Sequence, residues 1–312
     1  MAFEKIIGQD IAVNSLKGMI AQDTARGSYL FFGPDGVGKR TAAIEFAKAI
    51  NCDDTASRKI DSGNHPDVFI IHPEGKSGSI KIEKIREIIY QASLKPYEAK
   101  KRIFIVNDAE AMTLEAQNAL LKVLEEPPQH HILILTTSNA AALLSTVLSR
   151  CKVLKFYSLG QDKIQEFLEA RGMEEKEAVL FSHMAMGSLG RAMELKYGDI
   201  IARRDQVVND FFLRKSALLK ENVLSGDLVK NIGQSLYMLL CWYRDLLVSK
   251  FTQAPDELLN ADRSREIFSY ASRFSREKLQ KDVLAIMETI GHVRANVNPK
   301  IALFNLAVEL KK

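Results

Sequence analysis

Tyr29-Leu30-Phe31-Phe32-Gly33-Pro34-Asp35-Gly36-Val37-Gly38-Lys39-Arg40-Thr41 decides the fold of this 312-residue chain. The first four residues form a short apolar, aromatic run of the kind that makes a buried strand. Gly33 ends that run, and helical spacing follows over residues 41–50. A glycine-rich turn between a strand and a helix is the context of a phosphate-binding loop. Gly33, Gly36 and Gly38 would let backbone N–H groups turn toward phosphate oxygens, and the helix N-terminus adds partial positive charge. Lys39 would lie beside the β- and γ-phosphates of a nucleotide.

The pattern breaks one residue later. The position that should carry a hydroxyl for Mg²⁺ is Arg40, and Thr41 comes one step further on, turned by about 100° along a helix. A second element is altered in the same way. Ile103-Phe104-Ile105-Val106-Asn107-Asp108-Ala109 reads as the strand whose end would serve the metal and the attacking water. Asp108 suits the metal side. Ala109 stands where a catalytic glutamate is expected, and Glu110 is one residue too far along to replace it directly. General-base assistance is worth about 10²–10⁴-fold, so two defects in one nucleotide site point to loss of hydrolysis.

Further out, residues 68–71 are another short apolar run, and residues 132–135 and 153–156 read as two further strands. Between them, Ile82, Ile85, Ile88 and Ile89 form a helical stripe, and Thr113 can cap a helix that Pro127 and Pro128 must stop. Strands alternating with helices predict an α/β domain built on a mostly parallel sheet. After Tyr157 the strand runs cease. Residues 161–195 read as three short helices, and residues 200–312 hold long amphipathic ones, clearest over 205–220 and 228–251. The expected division is an α/β domain over 1–157, a small helical domain over 158–203 and an all-α domain over 204–312.

Composition excludes several classes. With 46% hydrophobic and 26% charged residues, the chain is neither disordered nor fibrous. A net charge of +4 is too small to name nucleic acid as a partner. Nothing resembles a membrane span of about 18 apolar residues, and MAFEKIIGQD lacks the pattern of a secretory leader. Cys52, Cys151 and Cys241 lie far apart, which argues against a disulfide framework and for a cytoplasmic setting.

Two longer motifs are more specific. Asn118-Ala119-Leu120-Leu121-Lys122-Val123-Leu124-Glu125-Glu126-Pro127-Pro128 resembles the signature of bacterial clamp-loader subunits, and Leu148-Ser149-Arg150-Cys151 contains their Ser-Arg-Cys motif. Ile7-Gly8-Gln9 resembles the segment that opens the AAA+ domain of that family. Gly63-Asn64-His65-Pro66-Asp67 and Asn296-Val297-Asn298-Pro299 are similar to its delta-prime members in DNA polymerase III. The resemblance implies that the three domains are an AAA+ nucleotide-binding-like fold, a helical lid and an oligomerising collar. It also implies a pentameric loader that opens a ring-shaped sliding clamp and places it on primed DNA. Gamma or tau and delta would be the partner subunits, and clamp and DNA would be met mainly through the complex. A member with the defects above would be the non-hydrolysing one, with ATP binding weak or absent.

By the same resemblance, Arg150 sits at a subunit boundary as a trans-acting arginine finger on a neighbour's ATP. A guanidinium is always charged and binds phosphate oxygens through parallel hydrogen bonds. Thr137 falls at the first nucleotide sensor. In Gly187-Ser188-Leu189-Gly190-Arg191, which resembles the second sensor, Gly190 stands where arginine is expected. Many family members carry a four-cysteine zinc module after the first domain helix; here residues 52–61 contain Cys52 alone, so no zinc is expected. Lys95, Lys100, Lys101 and Arg102 could follow a DNA backbone by charge, but such a run reads more simply as a solvated loop before a strand.

Two other readings stay open on these residues. One is an autonomous AAA+ ATPase, either a gamma/tau-like motor or a branch-migration helicase, although a motor should carry a hydroxyl at position 40 and a glutamate at 109. The other is a switch that binds ATP without hydrolysing it, because Lys39 and the three loop glycines remain.

Overall fold

In β1 (Gly27–Phe32), β3 (Arg102–Val106) and β4 (His131–Thr137), successive side chains go to opposite faces of one sheet, and helices cover both faces. The computed structural model describes residues 3–51, 54–75, 78–197, 200–209, 232–295 and 297–311. On one face Tyr29, Phe31, Ile103, Ile105, Ile132 and Ile134 pack with Leu16 of α1 (Asp10–Ala21) and Phe46 of α2 (Lys39–Asn51). On the other, Leu30, Phe104, Val106, Leu133 and Leu135 pack with α4 (Ile82–Ala92) and α5 (Leu114–Glu125). Burial on both sides is why these strands read as continuous apolar runs rather than alternating ones.

The sheet is parallel throughout, in the order β2-β3-β4-β1-β5, with β2 (Val68–Ile71) and β5 (Lys152–Lys155) at its edges. Phe32 stands beside Thr137 of β4 and Lys155 of β5, so the loop after β1 emerges between those two strand ends. Ligands of open parallel sheets bind beyond such carboxyl ends. The short helix α3 (Asp54–Asp61) follows α2. Thr113 caps α5 by accepting a hydrogen bond from Ala116 N at 3.3 Å, and the helix ends before Pro127, as its sequence predicts.

Chain contacts divide the protein into two compact units. The first is Met1–Ile164 with Gly187–Arg191, and the second is Gln165–Met186 with Ala192–Lys312. The helices expected over 161–195 are α7 (Gln161–Glu169), α8 (Glu175–Met184) and α9 (Leu189–Tyr197), after the one-turn α6 (Ser145–Leu148). Of the long helices expected beyond, residues 210–231 lie outside the described residues; α10 (Ile200–Val208) and α11 (Ile232–Val248) flank them.

In the second unit, α11 buries Leu239, Trp242, Tyr243 and Leu246 and packs on α13 (Arg276–Arg294), which contributes Leu279 and Ile286. Trp242 is thus a core residue. Asp245 of α11 accepts hydrogen bonds from Leu259 N, Asn260 N and Asn260 Nδ2, which ties the following loop to the helix before α12 (Ser264–Ala271). Arg204 is buried and paired with Asp205 and Asp262. Along α13 and α14 (Pro299–Lys311), Leu284, Met287, Ile301 and Phe304 are exposed at helical spacing.

Candidate functional site

The phosphate loop is folded onto itself. Lys39 Nζ donates to the carbonyl oxygens of Gly33 and Pro34, each at 2.6 Å, and lies 3.8 Å from the Asp35 carboxylate. Burial lowers the Lys39 pKa below its ordinary value, against the opposing pull of Asp35, Glu110 and Asp108. A second segment lies against the loop. Gly190 N donates to Gly36 O at 2.8 Å, and a Cβ on Gly36 would collide with the Ser188 hydroxyl. Gly36 and Gly38 have φ of +70° and +100°, the left-handed region that a glycine occupies without steric cost.

Beyond β2, β3 and β4 runs a row of polar groups. Asn107 Nδ2 lies 3.2 Å from His72 Nδ1, and Thr136 Oγ1 accepts from Asp108 N at 3.2 Å. Asp108 takes a left-handed φ of 51°, which turns the chain into the short turn Ala109–Ala111. Partial burial raises the Asp108 pKa, and neighbouring Glu110 and Asp35 raise it further. Glu110 turns toward β4, where its Oε1 accepts from Ser138 N at 2.9 Å and Ser138 Oγ at 2.7 Å. His72 is pushed below its ordinary pKa by burial and then by the charge of Arg40.

The expected nucleotide residues Gly33, Gly36, Gly38, Lys39, Thr41, Asp108 and Thr137 therefore belong to one end of one sheet. Lys39 and Asp108 sense each other's charge, whereas Thr137 is fully buried and accepts from Asn139 N, closing its own turn. As arranged, these residues do not fit a polyphosphate. The lysine ammonium is already held by two carbonyls, Gly190 sits on the loop, and the charges of Asp35, Glu110 and Asp108 already act on that one lysine. Among the described residues no group of three His, Cys, Asp or Glu could hold a metal ion; Cys52 lies outside them.

Arg150 follows α6. Its Nη1 donates to Thr146 O at 3.0 Å and to Ser149 Oγ at 3.4 Å, and its Nη2 lies 2.8 Å from Glu125 Oε1 at the end of α5. Among the described residues its Nε–H has no partner. Burial pushes the neighbouring Cys151 thiol up to about 12, so it remains protonated and serves packing. The α5–α6 arrangement is fixed by Gln117, whose Nε2 donates to Met112 O and Ala142 O and whose Oε1 accepts from Leu144 N. Sequence reasoning passed over Gln117. Its signal is a polar residue in the buried stripe that holds Leu120 and Leu124.

The basic run over residues 95–102 is corrected at its end. Arg102 is buried in β3, with Nε 2.9 Å from Asp67 Oδ1 and Nη1 donating to Gln91 O, so it is not part of a solvated loop. Asp67 also accepts from Tyr97 N, Glu98 N and Ala99 N at 2.8–3.0 Å. Burial alone would raise its pKa, but these donors together hold it below the usual 3.8. His65 Nδ1 accepts from Asp67 N at 3.0 Å, so the Gly63–Asp67 motif is a clamp on that loop.

A five-stranded parallel sheet with a glycine-rich loop between its first strand and α2, and with polar residues on the adjacent strand ends, defines an α/β domain of phosphate-loop type. The chain matches the families described as DNA polymerase III, delta subunit, over residues 8–160, and DNA polymerase III, delta subunit, C terminal, over residues 200–312. It belongs to the delta-prime group of DNA polymerase III clamp-loader subunits. It is 29% identical to DNA polymerase III subunit delta' of Bacillus subtilis, over 94% of this chain and 93% of that one. With subunit delta' of Pseudomonas aeruginosa the identity is 28%, over 90% of each. A solved gamma subunit-related protein of Thermotoga maritima aligns over 96% of this chain and 99% of its own, with 23% identity and a TM-score of 0.45.

Proposed function

We propose that the chain works as the non-hydrolysing subunit of a clamp loader and that Arg150 acts in trans on the ATP of a neighbouring subunit. The observation that carries this reading is a contrast. The lysine of the chain's own phosphate loop is consumed by Gly33 O and Pro34 O, while the Arg150 guanidinium stands on an exposed turn with its Nε–H unengaged among the described residues. A fixed positive charge of that kind stabilises the transition state of phosphoryl transfer.

In this reading the partners are gamma or tau on one side and delta on the other. The work of the assembly is to load a sliding clamp onto primed DNA. The chain's own site takes ATP weakly or not at all. Residues 158–203 serve as lid and 204–312 as collar, and exposed Leu284, Met287, Ile301 and Phe304 supply the apolar surface for subunit contact. The test is ATP hydrolysis and clamp loading by the loader reconstituted with Arg150→Ala. Unchanged rates in an intact assembly would reduce Arg150 to an interface residue.

A further inference from the structure

We infer that Glu125 is a positioning residue for Arg150, an inference that rests on the trans-acting role of that arginine. The guanidinium is tethered from two separate elements. Its own turn holds Nη1 through the Thr146 carbonyl, and the last residue of α5 holds Nη2 through Glu125 Oε1 at 2.8 Å. Because Gln117 bonds α5 to the chain leading into α6, the two tethers keep a fixed separation. The guanidinium plane is therefore set by two anchors, and among the described residues its Nε–H is left open.

Glu125 itself stands at the negative end of a helix, beside Glu126 and just before Pro127. A carboxylate there is disfavoured by the unpaired carbonyls of the last turn. The Arg150 charge offsets that cost, which gives the acid a reason to face the guanidinium rather than solvent. Both side chains are partly exposed, 34% for Arg150 and 51% for Glu125. An exposed pair is weak, so it orients the guanidinium without holding it back from a phosphate oxygen.

The experiment uses the complete loader reconstituted with Glu125→Ala, Glu125→Gln, Arg150→Ala and the double variant Glu125→Ala/Arg150→Ala. ATP turnover is measured with clamp and primed DNA present, after native mass determination shows intact assembly. Glu125→Ala is expected to lower kcat at the affected site by about three- to five-fold, the rate equivalent of one exposed pair, with KM for ATP unchanged. Glu125→Gln, which keeps an acceptor oxygen, is expected to lose less. In the Arg150→Ala background, removing Glu125 should cost nothing more, because there is no guanidinium left to orient. An additive further loss, or a Glu125→Ala rate equal to the parent while Arg150→Ala is slow, would overturn the inference and leave the role of Arg150 standing. An Arg150→Ala loader as fast as the parent would overturn both.

Discussion

Gly190 donates its backbone N–H to the carbonyl oxygen of Gly36 at 2.8 Å, and a Cβ built on Gly190 would lie 2.9 Å from the Gly36 Cα. This is backbone against backbone, with no flexible side chain to move aside. The arginine expected at position 190 in the second sensor has no room here.

Gly190→Ala is accordingly expected to destabilise the protein. Alanine in a helix gains up to about 1 kcal/mol over glycine, whereas overpacking a tight contact costs about 1–3 kcal/mol, so the steric term wins. Thermal melting should show a lower Tm, and the Gly36 region should become more accessible to hydrogen exchange. A Tm at or above that of the parent would mean that the segment is not held against the loop.

The isolated protein is expected to show no meaningful ATP turnover, well below the roughly 1 s⁻¹ at the low end of ordinary enzymes. Arg40 and Ala109 lack the groups needed, and Lys39 is engaged elsewhere. Lys39→Ala should therefore leave the background unchanged. Turnover near 1 s⁻¹ that disappears in Lys39→Ala would contradict this.

Arg150→Ala should leave the protein folded and the loader assembled. Hydrolysis at one neighbouring site should fall steeply, since arginine fingers are worth about 10³–10⁵-fold. The whole complex should fall less, because other sites continue to turn over. Arg150→Lys should not restore the rate fully, as an ammonium lacks the planar fork. Single-turnover measurement of the complex resolves the slow site from the rest.

Asp67→Asn should cost about 3 kcal/mol or more, the range for breaking one side of a buried ion pair, and should loosen the loop at Tyr97–Ala99. The folded pKa of Asp67 lies below its unfolded value. Its contribution is then complete above the ordinary carboxylate range and is lost as pH falls through the lower, folded value. Denaturant midpoints of parent and variant should differ most near neutrality and converge in acid. A constant difference from neutral pH to about pH 2 would contradict the clamp.

Met287→Asp with Phe304→Asp should abolish assembly while changing the stability of the single chain by no more than about 0.5 kcal/mol, as expected of surface positions. Both side chains are about half exposed, at 53% and 45%. Size-exclusion chromatography with the partner subunits checks the first outcome and thermal melting the second. A stable complex containing the double variant would exclude this surface from the contact.

The sheet was legible because β1 to β4 are built on short apolar runs bounded by turn signals, whereas the edge strand β5 carries Lys152 and Lys155, and because Thr113 and Pro127 mark the ends of α5 unambiguously. The defects at Arg40 and Ala109 were legible as single letters. What the sequence hid is long-range: Asp67 reaches residues thirty and more positions away, Gly190 reaches Gly36, and Glu125 reaches Arg150. None of these pairs leaves a periodic trace. Glu110 is the clearest case. Counting along the chain puts it one residue out of place, yet the left-handed turn at Asp108 swings it back toward Ser138.

The grip of Asp67 on the chain at Tyr97, Glu98 and Ala99 is made entirely through main-chain amides. Such a hold is indifferent to what those residues display outward. At Tyr97 and Ala99 related sequences can therefore change in size and polarity and keep the same loop path, whereas the Glu98 carboxylate also pairs with Lys59 at 2.7 Å. Proline, which has no amide hydrogen to give, is the one replacement that this stretch cannot accept. At Tyr97 and Ala99 the path of the chain is thus constrained more firmly than the chemistry of its side chains.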